Sequence, residues 1–167
     1  MDEATLLHLS QLHRSSLEDV RISRDSAVRT QAQHDRRNFV RSVFAMIEVS
    51  SFLLKMGFIA FASQRGIELE KKDVDKLKVE VWHHAGLPEA AVHERSLSLV
   101  ENFKYSLAAF ARIQGRKYEG PKDQDIKLFE DAQKVRNRIT HPKTPNDFTI
   151  SDGDFQSVDK LCEWYIT

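Results

Sequence analysis

The chain has 167 residues, 41% of them hydrophobic, which suits a single domain, residues 1–167, with a buried core. Its 25 Lys and Arg balance its 25 Asp and Glu, so the formal net charge is zero. That argues against a general nucleic-acid coat, which is usually basic overall, and leaves room for a local basic site.

A lone Cys162 excludes an intramolecular disulfide. It sits in a Leu161-Cys162-Glu163-Trp164 helical pattern and is expected to pack as a small hydrophobe. The first residues lack the basic and apolar runs of a signal peptide. The longest apolar stretch, near 52–62, is interrupted by Lys55. No membrane helix and a cytoplasmic location are therefore expected.

Six Gly and four Pro are few for this length; Pro first occurs at Pro88, and the first 65 residues hold one Gly, Gly57. This composition predicts an all-α fold, an up-and-down bundle of five to six helices. A first helix is predicted over 3–30, with Leu6, Leu9, Leu12, Leu17 and Val20 on one stripe. A second runs over 34–64 and ends at Gly66. Its stripe is Phe39, Val43, Met46, Ile47, Leu54 and Phe61, with Phe44 and Phe52 well off it. A helix apolar on more than one side is central in a bundle or faces a second chain. A third, charged helix is predicted over 72–84 and a fourth over 90–114. A fifth spans 122–140, with Leu128, Ala132, Val135 and Ile139 as its core seam. A sixth begins near Ser151, where Ser-Asp-Gly-Asp reads as an N-cap, and turns Leu161 and Trp164 inward.

The fifth helix closes on Arg136-Asn137-Arg138-Ile139-Thr140-His141-Pro142. Arg binds a phosphate through a planar fork, and His exchanges a proton near neutral pH. At 100° per residue Arg136 lies roughly 70° off the seam and Asn137 roughly opposite it. His141 follows Asn137 by four residues, so the two share a face if the helix reaches that far. Pro142 disfavours the α conformation at His141 and places the imidazole at or just beyond the helix end. Asn137 could there orient a ring nitrogen, and Arg136 could stabilise charge building on phosphorus. An Arg and a His near a helix C-terminus also serve simply to offset the dipole.

This segment resembles the signature of the HEPN superfamily (higher eukaryotes and prokaryotes nucleotide-binding). The family carries Arg, four to six residues, then His, often with Asn directly after the Arg. Arg136, Asn137 and His141 fill those places at the close of a late helix. The likeness covers the whole chain as architecture and residues 136–141 as motif. It implies a homodimer whose two motifs meet at the interface. It also implies a metal-independent endoribonuclease, in which the ribose 2′-OH attacks the adjacent phosphate to leave cyclic-phosphate and 5′-hydroxyl ends. Such members are toxins, phage-defence effectors or RNA-processing factors. Other members are non-catalytic dimers that bind RNA, a nucleotide or a protein partner. A cognate antitoxin or nucleotidyltransferase is the implied partner, although the Tyr modified in one toxin subgroup is Lys143 here.

On this reading Arg136 and His141 are the catalytic pair and Asn137 orients. Arg41, Arg138 and Lys143 are candidate contacts to RNA phosphates. Arg41, Glu48 and Lys55 recur every seven residues and read as a solvated charge ladder. The alternative turns Glu48, between Ile47 and Val49, toward the motif helix or its dimer mate, where it pairs with Arg136. Arg36, Arg37 and Arg41 could line a basic groove, but read first as a solvated helix start. His83 and His84 are adjacent and point about 100° apart, too divergent for chelation from a helix. No metal and no cofactor are expected.

Overall fold

The computed structural model describes residues 3–69 and 98–166. Among them are five α-helices, one short 3-10 helix and no strand, so the fold is all-α. The helices are α1 (Glu3–Thr30), α2 (Gln33–Gln64), α3 (Leu99–Ile113), α4 (Asp123–Thr140) and α5 (Asp152–Ile166). The 3-10 turn Pro145–Phe148 joins α4 to α5. The predicted helix over 72–84, with His83 and His84, and the start of the one over 90–114 lie outside the described residues.

The chain forms two compact units, one of residues 2–50 and 121–167, the other of Ser51–Gly120. In the first, α1 passes to α2 through a short turn without Gly or Pro. Gln31 takes a left-handed φ of 55°, and Thr30 Oγ1 bonds to the Asp35 carboxylate at 2.6 Å and to Ala32 N at 3.1 Å. The core joins Phe39, Val43, Met46 and Ile47 of α2 with Phe129, Ala132, Val135 and Ile139 of α4 and Val158 and Leu161 of α5. Phe129 takes the seam position expected of Leu128, which is only half-buried. The off-stripe Phe44 is 2% exposed and meets Phe129 edge-on, ring centroids 6.2 Å apart. Its ring thus fills the core of its own chain rather than remaining for a partner.

Along α5, Phe155 packs on Phe39 at 5.2 Å. Arg24 of α1 grips Asp159 through two bonds of 2.5 and 2.8 Å and reaches Glu163 at 2.7 Å. Cys162 is buried and its thiol is pushed up to about 11 by burial, so it rests protonated as a small apolar side chain.

In the second unit Phe58 and Ala62 of α2 pack on Ala109 of α3, with Phe61 and Tyr105 alongside. A capping box starts α3: Ser98 Oγ accepts from Glu101 N at 3.3 Å, and Glu101 accepts from Ser98 N at 2.9 Å. Lys55 is 3% exposed, so the charge ladder is not solvated along its whole length. By length and composition α2 could cross a membrane: an 18-residue window reaches a mean hydropathy of 1.7, although the stretch holds both Glu48 and Lys55. Within the protein 39% of that window is buried, which gives much of its apolar content a packing role.

Candidate functional site

Helix α4 ends at Thr140 because Pro142 lacks an N–H and crowds the residue before it. His141 is the C-cap, with φ −124° and ψ 59°, and its N–H still donates to Asn137 O at 2.9 Å. The backbone therefore turns away at His141. Its imidazole is exposed and makes no hydrogen bond among the described residues.

Arg136 is tied down on the same end of α4. Its Nη2 lies 3.3 Å from Glu48 Oε1, and its Nη1 donates to Asn137 Oδ1 at 3.2 Å. The Arg136 side chain is 32% exposed and that of Glu48 50%, so the pair stands at the surface. The structure thus brings Glu48, Arg136 and Asn137 together. Asn137 meets Arg136 rather than the His141 ring, since the shared face of residues four apart exists only while the backbone stays helical. Arg136 keeps further N–H donors for an anion.

The remaining candidates separate into two groups. Arg41 is exposed on α2, its Nη1 3.5 Å from Asn38 Oδ1, while the Asn38 amide nitrogen lies 2.9 Å from His34 Nε2. By helical spacing His34, Asn38, Arg41 and Glu48 share one face of α2. Lys143 has an exposed side chain just past His141. Arg138 instead turns to α5, where its Nη2 donates to Asp154 Oδ2 at 2.6 Å. It holds a helix start in place and does not join Arg136, because residues two apart point about 200° apart on a helix.

Asp154 also accepts from Ser151 N at 2.9 Å and Ser151 Oγ at 2.8 Å. Partial burial pushes its carboxyl up, but the Ser151 and Arg138 hydrogen bonds together outweigh it, and the net shift is downward. A depressed folded value means the group stabilises the fold above its ordinary unfolded value, and this contribution is lost as pH falls through the folded one. Asp154→Asn is expected to lower the melting temperature at neutral pH, with the difference from wild type vanishing in acid. Thermal unfolding across pH checks this.

The segment after the motif is fixed by residues whose role the sequence did not disclose. Gln33 pairs with the backbone of Ile150 in both directions, at 3.0 and 2.6 Å. Arg36, far from being a solvated helix start, donates to Ile150 O at 3.0 Å and Asp152 at 2.6 Å. Arg37 donates to Phe148 O at 2.9 Å. The signal for the turn itself was present: Thr144-Pro145-Asn146-Asp147 is a capping pattern with Pro at the first position.

No family model, curated protein or solved structure matches the chain.

Proposed function

We propose that the protein is a metal-independent endoribonuclease of HEPN type, with a composite site at a homodimer interface. The observation that supports this best is the arrangement at the end of α4. Arg136 is pre-oriented at the surface by Glu48 and Asn137, beside a helix end whose His141 ring is exposed and uncommitted. In a regular helix residues 136 and 141 diverge by roughly 140°, so one chain aligns them poorly on one phosphate. Two copies about a two-fold axis would bring two Arg and two His to one cleft.

In that cleft the ribose 2′-oxygen forms a bond to phosphorus as the bond from phosphorus to the 5′-oxygen breaks. One copy's His141 takes the 2′-hydroxyl proton and the other's supplies the proton that leaves with the 5′-oxygen. Arg136 holds a non-bridging oxygen and meets the charge that develops there. Glu48 is a positioning residue for Arg136. The biological setting this supports is that of a toxin, a phage-defence effector or an RNA-processing factor, with a cognate antitoxin as the expected partner. The second reading, a non-catalytic dimer that binds RNA, a nucleotide or a protein, keeps the same residues as ligand contacts. It gains support from Arg136 being already paired within its own chain.

Glu48→Gln keeps the size of the side chain and removes its charge. A surface pair of this kind contributes only about 0–1 kcal/mol to stability, so the melting temperature should hardly move. Cleavage should still slow, chiefly in kcat, because the guanidinium is less well aimed. Unchanged kcat in Glu48→Gln would remove Glu48 from the site. Cleavage of RNA by wild type against His141→Ala tests the reading as a whole.

A further inference from the structure

We infer that the groove between α1 and α5 binds a small amphipathic amine, a hydrocarbon body that carries one ammonium. This site is independent of the endoribonuclease reading and follows from how the two helices pair. On α1, Leu17, Val20, Arg21 and Arg24 fall at i, i+3, i+4 and i+7 and so share one face. On α5, Asp159, Cys162, Glu163 and Ile166 repeat that spacing. Arg24 holds both Asp159 and Glu163, which fixes the two faces against each other.

Between the faces lies a cavity of about 500 Å³. Small-molecule sites typically span about 300–1,000 Å³. The floor is Leu17, Val20, Cys162 and Ile166. Val20 and Cys162 are short and leave space that longer side chains would fill. The two arginines do not cover it. Arg24 is drawn to its two acids, and Arg21 bonds to Glu18 at 2.6 and 3.0 Å. Ile166 stays 54% exposed, although the side chains it shares the floor with are apolar. Cys162 is only 3% exposed and lines the cavity, and its thiol makes no hydrogen bond among the described residues. A hydrocarbon body resting there would cover Ile166 and lie on a soft, polarizable sulfur.

The rim selects the polar end of the ligand. Four carboxylates, on Glu18, Asp25, Asp159 and Glu163, surround the two guanidiniums. Lys160, exposed on α5, does not line the cavity. The imbalance favours a cation over an anion. Asp25 is the acceptor best placed to receive it. Its side chain is 70% exposed, and its contact with Arg21, from Nη1 to Oδ2, is long at 3.5 Å. A carboxylate offers about four acceptor sites, so Asp25 keeps capacity for an ammonium.

The test is titration calorimetry at neutral pH with octylamine, octanol and octanoate, which share a chain and differ in the head group. Octylamine should saturate a single site. It should bind roughly 3- to 10-fold more tightly than octanol, as a partly exposed charge-assisted hydrogen bond allows, and octanoate should bind least. Asp25→Asn should remove the preference for the amine. Leu17→Trp should fill the groove, and Ile166→Lys should set a competing ammonium at its mouth, so each should remove measurable binding. The Ile166 side chain is exposed, so the second variant keeps the test open if the first fails to fold. Cys162 is the only cysteine, so its modification by methyl methanethiosulfonate reports on the same cavity, and saturating octylamine should slow it. His141→Ala should bind octylamine as wild type does. Absence of saturable octylamine binding, or binding of octanol or octanoate as tight as that of the amine, overturns the inference. So does undiminished octylamine binding in Asp25→Asn or Ile166→Lys, or an unchanged rate of thiol modification. Loss of binding in His141→Ala would move the ligand to the end of α4 and overturn it as well.

Discussion

His141→Ala is expected to reduce RNA cleavage by about 10²-fold or more, with fold and dimer intact, as loss of a general acid/base does. The fold should survive because the ring is exposed and makes no hydrogen bond among the described residues. What the substitution removes is an exposed imidazole and nothing that holds the helix end. That end is set by Pro142 and by the backbone bond from His141 N to Asn137 O, which Ala retains. Arg136→Ala should bring a comparable loss through uncompensated charge on phosphorus. Because the two side chains diverge within one chain, the two defects should complement each other. Mixing His141→Ala with Arg136→Ala protomers should recover part of the wild-type rate, since a centre that takes Arg136 from one copy and His141 from the other can be whole in the mixed dimer. Cleavage assays on the single variants and on their re-equilibrated mixture measure this. No recovery on mixing would argue for a centre contained in one chain.

The largest expected effect on stability is at Phe44. Truncation to Ala should cost about 3–5 kcal/mol, the range for a buried Phe. Phe44 is 2% exposed and its partner Phe129 is fully buried, so water cannot enter cheaply and the surrounding helices must hold a cavity or collapse into it. The contact joins α2 to α4, the two helices that carry Glu48 and Arg136. Loss of the ring should therefore loosen the Glu48–Arg136 pair and lower activity along with stability. A domain is stable by only about 5–15 kcal/mol, so Phe44→Ala should lie near the limit of folding. Phe44→Leu should retain most of the packing. Urea unfolding midpoints for the two variants check the order, and a midpoint for Phe44→Ala equal to wild type would show that the site relaxes without cost.

Much of the architecture was legible because helices were marked by period and by the scarcity of breakers. The bounds of α1 match the prediction of 3–30, and α4 stops where Pro142 demands. Exposure of Asn137 followed from its angle to the seam, whereas the approach of Glu48 to Arg136 was only the alternative to a solvated charge ladder. The rest depended on tertiary choices that a one-dimensional pattern does not contain. Leu128 and Phe129 are both apolar neighbours, and only packing against Phe44 decides that the ring goes in. The pairing of Arg138, a candidate phosphate contact, with Asp154, 16 residues on, had no signal in the helix pattern. Arg36 and Arg37 looked solvated because their acceptors, the carbonyls of Ile150 and Phe148, are backbone atoms that carry no side-chain signature.

The central claim is tested most directly by the ends that wild-type protein leaves on RNA with EDTA present. Transfer through the 2′-hydroxyl predicts 2′,3′-cyclic phosphate and 5′-hydroxyl termini, made by wild type and not by His141→Ala. Cleavage that stops in EDTA, that leaves 3′-hydroxyl and 5′-phosphate ends, or that His141→Ala performs at the wild-type rate would contradict it.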